Sequence, residues 1–297
     1  MSLLLSGCGG QALSDREIVR GIFFTKQDNG YSACLVLADQ NAEIGKQENK
    51  IAAAKGSTPA QALQYAEQSL YGDVYYGLLD LAVLPWDTDW QTAQEIGELL
   101  YENAQPAPEL SVFLLGSTPI ESWTKEAPAL YKSLKAVEQT YKVHCGLQQL
   151  FAQQNVCGVP AYASTGGYSF AFLARGTEPI YSDDSLSAQL AAILCGQTTH
   201  LQTVYAAGSA VCSARVQMVV ENNCIQLHLR DIEWQDLTAS QRDLQALLRA
   251  ELQKDFTDLL PPIQEAQVDP FHLDFWQACL YGPDAEISTP QLEVFFA

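Results

Sequence analysis

Residues 56–84 read GSTPAQALQYAEQSLYGDVYYGLLDLAVL, and this stretch decides the fold class. Thr58 can cap a helix through its hydroxyl, and Pro59 sits where a missing N–H costs nothing. Ala62, Leu63, Ala66 and Leu70 then recur on one helical face. Residues 79–84, apolar except for Asp80, follow before Pro85 as the pattern of a buried strand. A helix feeding such a strand implies a sheet with helices packed on it.

The alternation extends in both directions. Upstream, residues 18–24 are strand-like, Asp28-Asn29-Gly30 carries a hairpin turn signal, and Tyr31, Ala33, Leu35 and Leu37 alternate on the return strand. Downstream come a helix over residues 92–103, the loop Gln105-Pro106-Ala107-Pro108 and a strand over 110–115. Gly116-Ser117-Thr118-Pro119 repeats the tetrapeptide at 56–59, as strand-to-helix turns select these residues independently. A helix is expected over 143–153, two strands around Gly166-Gly167 within 162–172, and a short strand over 178–181. Ser182-Asp183-Asp184-Ser185 should cap a helix bearing Leu186, Leu190, Ile193 and Leu194.

A further region begins near Leu201. Residues 216–220 and 225–229 read as a hairpin around Glu221-Asn222-Asn223, with Gln226, His228 and Arg230 on its solvated face. Ser240 and Asp243 resemble a capping box, and Leu244, Leu248, Leu252 and Phe256 mark a long amphipathic helix. Pro261-Pro262 should break or kink it, and residues 292–296 can form a final strand. The expectation is an α+β chain of mixed sheets with packed helices, its long amphipathic helix in the C-terminal part. Its regions are 9–138, 139–200 and 201–297, preceded by a short segment, 1–8.

Composition narrows the function classes. The chain has 297 residues, 47% hydrophobic and 17% charged, which is globular in character. Its formal charge of -19, from 35 acidic and 16 basic residues, repels phosphate backbones and anionic headgroups alike. Nucleic acid is therefore not an expected partner, and membrane attachment would need something other than basic residues. The eight cysteines contain no CxxC, so neither a zinc site nor a redox pair is written in. Most read as small buried hydrophobes.

Catalytic constellations are scarce. His144 and Cys145 suggest a thiol–imidazole pair, but neighbours on a helix point about 100° apart. Gly166-Gly167 lacks the context that cradles phosphate, Asp183-Asp184 reads as a helix cap, and the four histidines lack metal-ligand spacing. The sequence points to a binding or assembly protein without catalytic residues, cofactor or metal, not to an enzyme.

The opening MSLLLSGCGG supplies the missing attachment. Leu5-Ser6-Gly7-Cys8 has the order of a bacterial lipobox, the tail of a lipoprotein signal peptide ending in the cysteine that takes the lipid. Read with it, Arg16-Glu17-Ile18-Val19-Arg20-Gly21-Ile22, Gly56-Ser57-Thr58 with Ala62-Leu63, Tyr75-Tyr76-Gly77 and the late helix followed by Asp269-Pro270-Phe271 stand in one order. That order resembles the Ger(x)C family, the C-subunit lipoproteins of spore germinant receptors. The chain departs from the family pattern at Gly9-Gly10, at Leu78 and at Pro261-Pro262.

The resemblance implies a three-domain α+β lipoprotein on the outer face of the spore inner membrane of a Gram-positive spore former. It would act with integral-membrane A and B subunits in sensing nutrients during germination. Cys8, as the lipid attachment site, is the one functional position it transfers. The competing expectation is a lipid-anchored solute-binding protein that delivers a small ligand to a transporter.

Overall fold

The computed structural model describes residues 16–27, 30–38, 50–104, 110–115, 123–152, 155–162, 167–182, 184–219, 224–282 and 289–297. Strands β1 (Arg16–Gln27) and β2 (Gly30–Leu37) form the expected antiparallel hairpin, with Gln27 opposite Gly30. Asp28 and Asn29 of its turn lie outside the described residues, as do Cys8 and the second Gly-Ser-Thr-Pro. Strand β3 (Lys50–Gly56) adds to β2 and runs into helix α1 (Pro59–Gln68). The Thr58 hydroxyl accepts from the Gln61 N–H at 3.2 Å, as its sequence position predicts. Gly56 lies so close to α1 that a Cβ there would stand 2.4 Å from the Ala62 nitrogen.

Strand β4 (Asp73–Tyr75) pairs with the start of β1, and β5 (Leu81–Pro85) with its middle, both in parallel. Helix α2 (Trp90–Leu99), capped by Asp89, passes into one π turn at Leu100–Ala104. Then follow β6 (Ser111–Leu115), α3 (Trp123–Tyr141), α4 (Leu147–Ala152), β7 (Val156–Tyr162), β8 (Tyr168–Ala174) and β9 (Ile180–Ser182). Among the described residues these strands make a nine-stranded mixed sheet in the order β3-β2-β1-β5-β6-β7-β8-β9, with β4 beside β1. Parallel pairing of β6 with β7 carries it across residues 138–139, where the sequence reading placed a region boundary.

Alternation assigns the two faces of this sheet. Phe23, Leu81, Val83, Phe113, Phe170 and Phe172 enter one apolar cluster. Ile22, Phe24, Ala82, Leu84, Val112 and Leu114 enter the other, beneath α1, α2 and α4. Both faces are covered, which is why these strands read as continuous apolar runs.

The helix expected over 143–153 is shorter. Residues 143–146 are not helical, and the Cys145 carbonyl accepts from the Val112 N–H at 2.7 Å, tying the segment to β6. Val143 and Cys145 enter opposite clusters, and α4 begins only at Leu147.

Helix α5 (Ser185–Leu194), capped by Asp184 as expected, leads to β10 (His200–Tyr205), β11 (Gly208–Val219) and β12 (Cys224–Gln235). The β11–β12 hairpin is longer than its sequence signal. Helices α6 (Gln241–Glu265) and α7 (Leu273–Tyr281) return the chain to β13 (Gln291–Phe296), parallel to β12. Among the described residues the second sheet has four strands, β10-β11-β12-β13. His228, expected on a solvated face, is half-buried and stacks on Phe295 at 5.1 Å.

The expected break at Pro261-Pro262 does not occur; α6 runs through it to Glu265. Leu244, Leu248, Leu252, Phe256, Leu259, Leu260 and Ile263 are all buried, at roughly 1.5–3 kcal/mol each. Two prolines cost about 3 kcal/mol apiece in a helix interior, and less near its end. Burial therefore wins. Leu248, Leu252 and Phe256 join the same cluster as Phe172, so the second sheet and α6 share a core with one face of the first.

Candidate functional site

Two polar clusters line the edge where β5 and β6 begin. Asp80 accepts from the Arg20 guanidinium at 2.6 Å and from the Tyr131 hydroxyl at 2.8 Å. Burial pulls the Arg20 pKa down, but Asp80 outweighs it and the guanidinium is held above its ordinary value. Burial and the Asp80 carboxylate push the Tyr131 phenol up, so it stays a donor.

The second cluster joins Ser111, Glu138 and His144, three residue types that elsewhere form hydrolase triads. Here the order of donation is wrong for that chemistry. Ser111 Oγ donates to Glu138 Oε1 at 2.5 Å and also lies 2.8 Å from His144 Nδ1. Glu138 Oε1 approaches that same nitrogen at 3.4 Å, so serine and carboxylate share one side of the imidazole. A nucleophilic serine gives its proton to the ring nitrogen opposite the one its carboxylate holds. Ser111 is fully buried as well. Burial pushes Glu138 up, but hydrogen bonds from His144, Lys135 and Ser111 outweigh it and hold the carboxyl below its ordinary range. This cluster locks α3 to β6.

His144 and Cys145 face apart. The Cys145 thiol points at the Gly158 carbonyl, 3.7 Å away, inside the apolar cluster under α4. Contact with Cys157 and burial hold it well above an ordinary thiol pKa. Burial also pushes Cys34 and Cys212 up to about 12. Among the described residues every cysteine is a free thiol, and Cys279 alone is exposed. No group of three His, Cys, Asp or Glu side chains among them could hold a metal ion.

An acidic cleft of 470 Å³ opens between α5, β10 and α6, lined by Tyr141, Asp184, Tyr205, Glu251, Lys254 and Asp255 among others. The Tyr205 hydroxyl donates to Glu251 Oε2 at 2.5 Å. Burial, reinforced by Asp184, Glu251 and Asp258 against Lys254, pushes Asp255 up to about 6. Asp255 Oδ2 is buried without a hydrogen-bond partner, although the residue as a whole is partly exposed. Such a site attracts cations. A wider groove of 1120 Å³ lies beside the N-terminus of α2, lined by Arg175 together with Asp87, Asp89, Glu95 and Glu178 among others.

Sequence reasoning missed α7. This nine-residue helix buries its glutamine, Gln277, and exposes Phe275, Trp276, Cys279, Leu280 and Tyr281. At 100° per residue, Phe275, Cys279, Trp276 and Leu280 form one stripe about 140° wide. A stripe of that width normally faces a core. The signal was in the sequence, apolar residues at i, i+1, i+4 and i+5, but nothing in it says that the stripe points outward.

Comparison of the chain with protein-family models, with curated proteins and with solved structures gave no match in any of the three.

Proposed function

We propose that the chain is a lipid-anchored, non-catalytic subunit of a spore nutrient germinant receptor, the C subunit, acting through assembly with integral-membrane A and B subunits. One observation carries the reading: Leu5-Ser6-Gly7-Cys8 stands ahead of the ordered run of Ger(x)C-like segments from Arg16 to Phe271. Physical chemistry supports it. At -19 the chain cannot be drawn to anionic headgroups, and among the described residues no helix is long and apolar enough to cross a membrane. Acyl chains on Cys8 would hold it without basic residues, each buried methylene contributing about 0.8 kcal/mol, and two chains suffice where one does not. The catalytic-looking residues have other employment: Ser111, Glu138 and His144 bind one another, and Cys145 is sealed in the core.

The test is dipicolinic acid release from spores with the gene intact, deleted, or restored as Cys8→Ala. Loss of the response to one class of nutrient on deletion, with partial rescue by Cys8→Ala, is the expected result. Unchanged release across a broad nutrient panel in a strain lacking paralogous receptors would overturn the reading. The acidic cleft favours one second reading, capture of a small cationic solute for a transporter. Deletion would then lower nutrient uptake in growing cells and leave germination intact.

A further inference from the structure

The outward stripe of α7 inverts the arrangement of a water-facing helix. Phe275 is 61% exposed, Trp276 46% and Leu280 37%, while Gln277 is 4% exposed. Asp274 is the one charged residue within α7. The helix is about 14 Å long, too short to span a bilayer but long enough to lie along one. Aromatic and leucine side chains on one face are what the boundary between headgroups and acyl chains accepts.

Position in the fold says which covering suits it. The chain enters α7 from Phe271, which packs edge-on against Phe172 of β8 at 5.6 Å. Phe172 pairs with Gly158, near the start of β7. Through β5 and β6, β7 runs parallel to β1, so its start and Arg16 lie towards the same end of the sheet. From β1 to β8 is four strand spacings, roughly 19 Å. Arg16 stands five residues before Gly21, the β1 residue level with Gly158, roughly 17 Å along the strand. Arg16 and Phe172 are therefore about 25 Å apart. From Arg16 back to Cys8 is eight residue steps, which reach at most about 27 Å. A lipid on Cys8 can therefore enter the same bilayer surface that α7 touches.

We propose that α7 is an interfacial docking helix, laying Phe275, Trp276, Cys279 and Leu280 on the membrane surface beside the lipid anchor. This rests on the lipid-anchored reading of Cys8 and adds a second, non-covalent contact to it. Apolar burial drives the contact and the chain's net charge opposes it. Neutral bilayers should bind more strongly than anionic ones, and salt should strengthen binding to anionic bilayers by screening the repulsion. A basic patch would show the reverse.

The test labels Cys279 with an environment-sensitive fluorophore in the full chain carrying Cys8→Ser, so that one exposed thiol reacts. Phosphatidylcholine vesicles should shift its emission to the blue, and spin-labelled lipids should quench it. Phe275→Ser with Trp276→Ser should weaken vesicle binding by about tenfold or more. Both side chains are exposed, so an unchanged circular dichroism spectrum certifies the fold. An aqueous emission on vesicles overturns the proposal, as does a blue shift that grows with protein concentration alone, the mark of a second copy. So does a shift seen only on membranes holding other membrane proteins. Mass spectrometry of the unsubstituted chain recovered from cells reports separately whether Cys8 carries acyl chains. A blue shift without acylation would leave the docking helix standing and remove the anchor.

Discussion

The Ser111 hydroxyl donates to the Glu138 carboxylate across 2.5 Å, joining the first residue of β6 to the last turns of α3. A buried hydroxyl with a charged acceptor is a strong constraint in a small space. It fixes the position of the helix covering that face of the sheet.

This bond sets an acid limit. Glu138 is held below its ordinary range in the folded state, so its contribution is complete above the unfolded carboxylate value. That contribution disappears as pH falls through the lower, folded value. Glu138→Gln should lower stability near neutrality and flatten the acid limb of a stability–pH profile. Ser111→Ala should cost about 1–3 kcal/mol in urea denaturation near pH 7, through the partner left unpaired.

The opposite sign applies in the acidic cleft. Asp255 is raised to about 6, so its ionisation costs folding free energy, a penalty that builds as pH rises from the unfolded value of 3.8 towards 6. Asp255→Asn should therefore stabilise the protein at pH 7 and have little effect at pH 3. Solvent screening of this partly exposed group keeps the gain under about 1 kcal/mol. Thermal melts at the two pH values test it; equal gains at both would refute the electrostatic account.

Gly56 and Gly167 should respond differently to the same substitution. A Cβ on Gly56 meets the α1 backbone at Ala62, while one on Gly167 meets nothing within 4 Å. Gly56→Ala should destabilise by at least about 1–3 kcal/mol, since backbone must shift. Gly167→Ala should stay within about 0.5 kcal/mol of the parent. Chemical denaturation of the pair measures both.

The elements the sequence made legible are those whose signals are local. Thr58 and Asp184 cap their helices through their own side chains, and the four-residue recurrence from Leu244 to Phe256 is the buried stripe of α6. Non-local causes were not legible. Strand β3 is Lys-Ile-Ala-Ala-Ala-Lys-Gly, with little intrinsic strand preference, and pairing with β2 makes it a strand. Helix α7 is a different case, capped from a few residues upstream rather than at its N-cap position. His272, at its N-terminus, has φ 55° and makes no capping bond through its side chain. The Leu273 and Asp274 N–H groups donate instead to Asp269, at 2.7 and 2.8 Å. Among the site residues Cys8 was legible as a pattern, and its structure lies outside the described residues. The Ser111–Glu138–His144 cluster was not legible, because 27 and 33 residues separate Ser111 from its partners.

The shared core has an evolutionary consequence. Leu201, Ile225 and Leu227 of the small sheet sit in one cluster with Phe23, Phe113 and Phe172 of the large one. The four-stranded unit thus owns no private interior. Recombination could not exchange it for a foreign module without remaking the underside of the nine-stranded sheet. Descendants of this chain can alter their outward surfaces by gradual drift, but they inherit the two sheets as a single heirloom.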